Sequence, residues 1–329
     1  KVKQIIICGC IIYSLVFSRR DCLKQAAIDA LGRSTRPEKD TSVISNSGHF
    51  YIHYDTTGNA APNLTDTLDS GNGIPDYIDE VGIIADSAHQ VLVNVMEFTE
   101  EPFDGEGGYD IYIESYASGV YGYNTPDAPS LNSDGQTSYL QIDNDYLGFN
   151  SIFNLSPSKI MQISIAHEYF HGIQWGYRKS TSGSKYLYEM TSTWFEDILI
   201  PDGNDYLDVF AGNLLNNPTL DFGTTGGGYE LALFGHYLSS FIDENGQTNL
   251  KNSKIMQEIW KNFKSNSTSP KAFDIIQNLL ETQYNMSFTE AWIDFMTRNL
   301  YNGIYENMDN NFYYYIDQAL IDPTKTNIS

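Results

Sequence analysis

The residues best suited to chemistry lie together in the segment His167-Glu168-Tyr169-Phe170-His171. On a helix, two histidines four positions apart project from the same face, so both imidazoles can bind one metal ion. Glu168 lies beside His167, where its carboxylate can contact a water molecule on that ion rather than the ion itself. A metal-bound water that a carboxylate deprotonates is a strong nucleophile. The segment therefore predicts a zinc-dependent hydrolytic centre with Glu168 as the general base.

The sequence around the histidines predicts a buried helix over residues 158–175. Apolar residues precede His167, and a charged Glu168 in such a helix is unfavourable unless it has a partner. Two other interpretations stay open. The histidines could be hydrogen-bonded residues of the core, or they could hold a structural zinc ion without turnover, although structural zinc sites are usually richer in cysteine.

A catalytic zinc ion usually takes three protein ligands and keeps one position open. A second predicted helix, residues 187–199, carries two candidates for the third ligand, Glu189 and Glu196. They are seven residues apart, which puts them two turns apart on one face. If Glu196 is not the ligand, it could orient a ligating imidazole, and Thr193 competes for that role.

The two helices together resemble a known group of enzymes. A His-Glu-x-x-His helix followed by a helix with a glutamate near its start is similar to the gluzincin metallopeptidases, and residues 187–196 are especially similar to the aminopeptidase-like branch. The resemblance implies that zinc is bound by His167, His171 and Glu189. It also implies a zincin-like catalytic domain, with a twisted sheet over the metal helix and a helical lobe after it.

A third segment extends the resemblance. Residues 226–234 are similar to the Tyr-Glu-x-Gly-x-Ala-Leu region of the same branch, in which the tyrosine stabilises the tetrahedral intermediate. The resemblance implies that Tyr229 is catalytic and donates to the oxyanion. This chain has Ala232 where the family has glycine, which weakens the match. His236 is an alternative donor, and Tyr229 could also be an ordinary core residue.

A glycine-rich segment, residues 66–77, resembles calcium loops that read Asp-x-Asn-Gly-Asn-Gly-Ile-Pro-Asp. Such loops carry short oxygen side chains around a tight turn, and Leu68 stands where the first acid is usual. The candidate calcium ligands are Asp66, Asp69, Asn72 and Asp76. The alternative is a turn that caps the next helix, with Asp76 at the positive end of the helix dipole.

The order of the predicted elements indicates an α+β fold, because strands come first and helices dominate after residue 156. The predicted strands are residues 49–54, 110–114 and 138–142, and the last could be a sheet edge that binds an extended substrate or a structural edge strand. The predicted helices are residues 76–98, 158–175, 187–199, 229–244, 254–263, 270–281 and 288–300.

The N-terminal segment of the chain indicates export. Residues 1–18 are predicted to be a signal peptide, since two lysines precede an apolar run too short to span a bilayer comfortably. Residues 19–47 are predicted to be a propeptide or linker, and residues 48–300 the zincin-like metallopeptidase domain. The remaining residues, 301–329, are interpreted as a C-terminal extension, with truncation left open. The expected location is outside the cell, at its surface or in the periplasm, with no membrane segment in the mature form.

The net charge of the chain argues against a nucleic acid as its partner. The 329 residues carry a formal net charge of −23, which would repel a nucleic acid. Residues 48–300 resemble uncharacterised secreted bacterial metalloproteases, and the expected partner is a protein or peptide substrate. An endopeptidase is favoured over an aminopeptidase because the chain lacks a Gly-x-Met-Glu-Asn segment.

A noncatalytic metal-binding surface or adhesion protein and a hydrolase of another bond are the remaining alternatives. The expected cofactors are zinc and, at the glycine-rich loop, calcium.

Overall fold

The computed structural model describes residues 35–63, 69–116, 120–131, 135–147, 155–179, 184–207, 214, 228–243, 252–265 and 271–299. Within these residues the fold is α+β, with one mixed five-stranded sheet and seven α-helices. The chain divides into two compact units, residues 1–88 with 101–172 and residues 89–100 with 173–329. The predicted signal peptide and C-terminal extension lie outside the described residues.

The sheet belongs to the first unit. Its strands are β1 (Thr41–Ile44), β2 (Phe50–Tyr54), β3 (Tyr109–Glu114), β4 (Gly122–Pro126) and β5 (Ser138–Asp143). They lie in the order β1-β2-β3-β5-β4. The inner strands β2, β3 and β5 are parallel, and the outer strands β1 and β4 pair antiparallel with their neighbours. The three strands predicted from β-propensity are confirmed as these inner strands.

The prediction that residues 138–142 form a sheet edge is wrong. Strand β5 is hydrogen-bonded to β3 on one side and to β4 on the other, so it lies inside the sheet. The edge strand on this side of the sheet is β4, whose sequence Gly-Tyr-Asn-Thr-Pro holds three residue types that are depleted in strands. Pro126 lacks a backbone N–H, which an edge strand tolerates and an inner strand does not.

The first strand lies in the segment predicted as a propeptide or linker. Residues 41–44 of β1 pair with β2 in an antiparallel hairpin, so the sheet begins before the expected domain boundary at residue 47.

Arg36, in the same predicted segment, forms ion pairs with three carboxylates of the first unit. Its guanidinium pairs with Asp104 at 2.6 Å, with Asp110, and through two nitrogens with Asp127 at 2.9 and 3.1 Å. Burial acts to lower the pKa of Arg36, but these carboxylates raise it above its usual value.

Replacing Arg36 is expected to destabilise the first unit. In Arg36→Ala, three nearly buried carboxylates would face one another without a cation, which costs about 3 kcal/mol or more. Arg36→Lys keeps the charge but not the fork geometry, so a smaller loss is expected. The free energy of unfolding in urea measures both. An alanine variant within 0.5 kcal/mol of wild type, on the order of an ordinary surface substitution, would contradict this role of Arg36.

The seven helices are α1 (Asp76–His89), α2 (Pro157–Trp175), α3 (Lys185–Leu199), α4 (Ala232–Tyr237), α5 (Ile255–Ser265), α6 (Ala272–Gln283) and α7 (Phe288–Asn299). Helix α1 continues as π-helical turns over Gln90–Val95. The single helix predicted for residues 229–244 is instead three consecutive pieces, because α4 follows a 3-10 turn and runs into π-helical turns. Of the described helices, none is both long and apolar enough to cross a membrane.

The two helices that carry the predicted metal ligands are buried around those ligands, α2 from Ile163 to Trp175 and α3 from Tyr186 to Leu199. Helix α2 begins as its sequence predicts, with Pro157 in the first turn and the Ser156 hydroxyl accepting from the Lys159 amide at 3.2 Å. Every residue of α3 from Tyr186 to Leu199 is buried. A helix buried all round holds its polar side chains in place, and polar side chains inside such a helix indicate function or internal pairing.

Candidate metal centre

Helix α2 presents the two histidines as its sequence predicts. His167 and His171 lie one turn apart and are both buried. Their Nε2 atoms are 3.0 Å apart and their rings are nearly perpendicular, so the two imidazoles point at one small volume. Two neutral imidazoles can share only one hydrogen bond there, whereas a metal ion could accept a lone pair from each.

Helix α3 supplies a carboxylate to the same volume. One ligand atom from each of His167, His171 and Glu189 lies within 4.8 Å of the other two, and Glu189 is fully buried. These three residues form a buried group that could hold a metal ion. Glu196, the other candidate, is also buried but is not part of this group.

The side chain of Glu168, on helix α2, packs against strand β4 at one edge of the sheet. Glu168 is only 1% exposed, and a Cβ atom added to Gly122 of β4 would lie 3.4 Å from its Cγ. The main-chain oxygen of Glu168 accepts a hydrogen bond from Asn124 Nδ2 at 2.9 Å. Burial raises the pKa of Tyr146, and the nearby charges of Asp143 and Glu168 raise it further. Glu168 is therefore a buried acid that lies against the last strand of the sheet.

Tyr229 is buried in the 3-10 turn that precedes α4. The turn is held against the start of α3 by Gly228, whose φ of 115° favours glycine. A Cβ atom at Gly228 would lie 2.3 Å from the main-chain oxygen of Tyr186, so no other residue fits there. Tyr186 comes three residues before Glu189. The main chain at Tyr229 thus runs close to the turn of α3 that carries Glu189.

His236, the alternative to Tyr229, lies near the other end of α3. It is fully buried on α4, with Nε2 3.6 Å from Asp197 Oδ2 and its ring tilted against Tyr206. A separation of 3.6 Å is too long for a hydrogen bond. Burial lowers the pKa of His236 to about 3. Asp197 is eight residues past Glu189, or about 12 Å along the helix axis, so Tyr229 is the better candidate of the two.

The low pKa of His236 predicts acid sensitivity. The unfolded chain protonates this ring near pH 6.5, while the folded chain resists protonation down to about pH 3. Stability should therefore be complete above pH 6.5 and fall as the pH drops through this window, by about 2 kcal/mol at pH 5. His236→Leu should reduce this loss when urea unfolding is followed at pH 7.5 and pH 5 with a chelator present. Equal losses in wild type and variant would contradict the prediction.

The candidate calcium loop is only partly described, because Asp66 lies outside the described residues. The other three candidates accept hydrogen bonds from the loop itself. Asp69 accepts from the Gly71 amide at 3.0 Å, Asn72 from Ile74 at 2.8 Å and Asp76 from Ser70 at 2.9 Å. Gly71 and Gly73 both have positive φ. This arrangement favours the alternative of a hydrogen-bonded turn at the start of α1, and calcium binding stays a prediction.

A search with models of known protein families found no match, and neither did a search among curated proteins. The gluzincin resemblance stays a prediction. It rests on the sequence motifs and on the buried group of His167, His171 and Glu189.

Sequence reasoning missed strand β4 and its contacts with Glu168. The available signal was Gly122 between two tyrosines, because a glycine inside a strand often marks a close approach of another chain segment. The polar and proline-containing sequence of β4 concealed it. Asn124, which joins this strand to the main chain of Glu168, was not among the predicted site residues.

Proposed function

We propose that this protein is a secreted zinc metallopeptidase. The observation that carries the proposal is the buried group of His167, His171 and Glu189, with Glu168 next to the first histidine. Two imidazole nitrogens and one carboxylate oxygen are a common donor set for catalytic zinc. Tetrahedral zinc with bonds of about 2.0–2.1 Å sets its ligand atoms about 3.3 Å apart, which is close to the 3.0 Å between the two Nε2 atoms.

The mechanism assigns the proton transfers to this chain's own residues. Zinc, when bound, lowers the pKa of a water molecule and polarises the scissile carbonyl. Glu168 takes the proton of that water and later donates it to the leaving amine. Tyr229 donates a hydrogen bond to the developing oxyanion, and its position by the turn of α3 that carries Glu189 supports this role.

Strand β4 supports a polypeptide as the substrate. In the part of the chain that the structure describes, β4 has a hydrogen-bonded partner strand on one side only. An extended peptide can add to such an edge through main-chain hydrogen bonds. Because Glu168 packs against Gly122, a peptide on this edge would lie near the general base. An edge strand can bind residues on both sides of the scissile bond, which favours an endopeptidase.

The direct test is metal analysis and peptide hydrolysis with the purified chain. We expect one zinc ion per chain, cleavage of casein at internal bonds, loss of activity with a chelator and recovery on addition of zinc. Mass spectrometry of the products separates internal cleavage from the release of single N-terminal residues, which would indicate an aminopeptidase. Zinc binding without any cleavage would favour the noncatalytic alternative. A chain that binds no metal would overturn the proposal.

A further inference from the structure

Asn124 joins the edge strand to the main chain of the proposed general base. It lies in the middle of β4 and is fully buried. Its Nδ2 atom donates to the main-chain oxygen of Glu168 at 2.9 Å and to the hydroxyl of Tyr109 at 2.9 Å. A carbonyl oxygen can only accept, so the Asn124 atom that faces Glu168 must be the amide nitrogen. Both donor hydrogens of the amide are thereby used.

Strands β3 and β5 contribute further hydroxyl groups to this hydrogen-bond network. Tyr109 of β3 and Ser138 of β5 share a hydrogen bond between their hydroxyls at 2.8 Å. Three adjacent strands thus supply the side chains that meet beside the peptide group of Glu168. A network of this kind, fully buried and internally hydrogen-bonded, restrains its members more strongly than a single contact would.

The absence of a side chain at Gly172 makes the contact possible. Gly172 lies one turn after Glu168, and a Cβ atom there would be 2.6 Å from the Tyr109 hydroxyl oxygen and 3.4 Å from Asn124 Nδ2. Any larger residue at position 172 would push the network away from α2. Gly172 therefore lets the side chains of Tyr109 and Asn124 lie close to α2 beside Glu168.

We propose that Asn124 is a positioning residue for the hydrolytic reaction. By holding the main chain of Glu168 against β4, it sets the distance between the Glu168 carboxylate and a peptide bound along that strand. A displacement of about 1 Å between reacting groups can lower a rate a hundredfold. This inference rests on the proposed function, and Asn124 itself does not touch the reacting atoms.

The test compares Asn124→Ala with Tyr109→Phe, which removes one hydroxyl from the same network but leaves the bond to Glu168. For Asn124→Ala we expect a kcat at least tenfold lower, a KM within twofold of wild type and one zinc ion per chain. Tyr109→Phe should keep kcat within threefold. Hydrogen exchange of the main-chain amides in residues 168–175 should become faster in Asn124→Ala and change less in Tyr109→Phe. Asn124→Ser, too short to reach Glu168, is the second variant in case alanine prevents folding.

Each outcome decides a separate point. Faster exchange with a wild-type kcat would overturn the positioning role, and so would equal losses of kcat in Asn124→Ala and Tyr109→Phe. Unchanged exchange in Asn124→Ala would show that Asn124 does not hold the Glu168 main chain. If the wild-type chain binds zinc but cleaves no peptide, the proposed function fails, while the exchange rates still report whether Asn124 fixes Glu168.

Discussion

Glu168→Gln is expected to keep its metal ion and to lose at least a hundredfold in kcat for peptide hydrolysis. Glutamine has the same shape, so it fits the buried position that Glu168 occupies beside Gly122. Its amide cannot accept the proton of a metal-bound water, and general-base catalysis of this kind contributes about 10²–10⁴-fold. Zinc content by elemental analysis and kcat on a fluorogenic peptide measure the two effects separately.

Glu80→Gln is a matched control for that variant. The substitution is the same, and Glu80 also touches α2, where its Oε1 accepts from Ser158 at 3.0 Å and from Gln162 at 2.7 Å. These contacts lie near the start of the helix, away from His167. We expect Glu80→Gln to keep both zinc and kcat within twofold. A Glu168→Gln variant that holds zinc and cleaves like this control would exclude Glu168 as the base.

The local part of the site could be predicted because its signals lie within a few residues of each other. The spacing of His167 and His171 depends only on the helical repeat, and the cap at Ser156 depends on residues beside it. The structure contains both the paired histidines and the cap at Ser156. The inner strands were also predictable, since their β-branched and aromatic residues suit a buried sheet.

The remaining features depend on contacts between distant parts of the chain. Arg36 meets Asp110 and Asp127, which are 74 and 91 residues away, and no local pattern marks that partnership. Strand β4 has a poor β-sequence and forms because it pairs with β5, so tertiary contacts override its propensity. The same pairing made β5 an inner strand. Sequence periodicity can identify a strand, but it does not say how many neighbours that strand has.

The choice between Glu189 and Glu196 shows what could be predicted from the sequence and what could not. Helical spacing alone left Glu189 and Glu196 equivalent, because both lie on one face of α3. The family resemblance favoured Glu189, and the structure brings its carboxylate to the two histidines. The buried group of possible ligands includes Glu189 and leaves out Glu196, and the helical repeat of α3 alone does not distinguish the two.

Glu189→Gln is therefore expected to lower the affinity for zinc by more than about a hundredfold, and Glu196→Gln by about a hundredfold at most. A neutral amide oxygen is a much weaker ligand than a carboxylate, while loss of a residue that only orients a ligand costs about 10–100-fold. A hundredfold loss of affinity also removes about 2.7 kcal/mol of the stabilisation that saturating zinc gives the folded chain. Zinc titration against a chromophoric chelator and thermal unfolding with and without zinc measure both effects. If Glu196→Gln lost zinc while Glu189→Gln kept it, the third ligand would be Glu196, and the turn of α3 that carries Tyr186 and Glu189 would no longer explain a role for Tyr229.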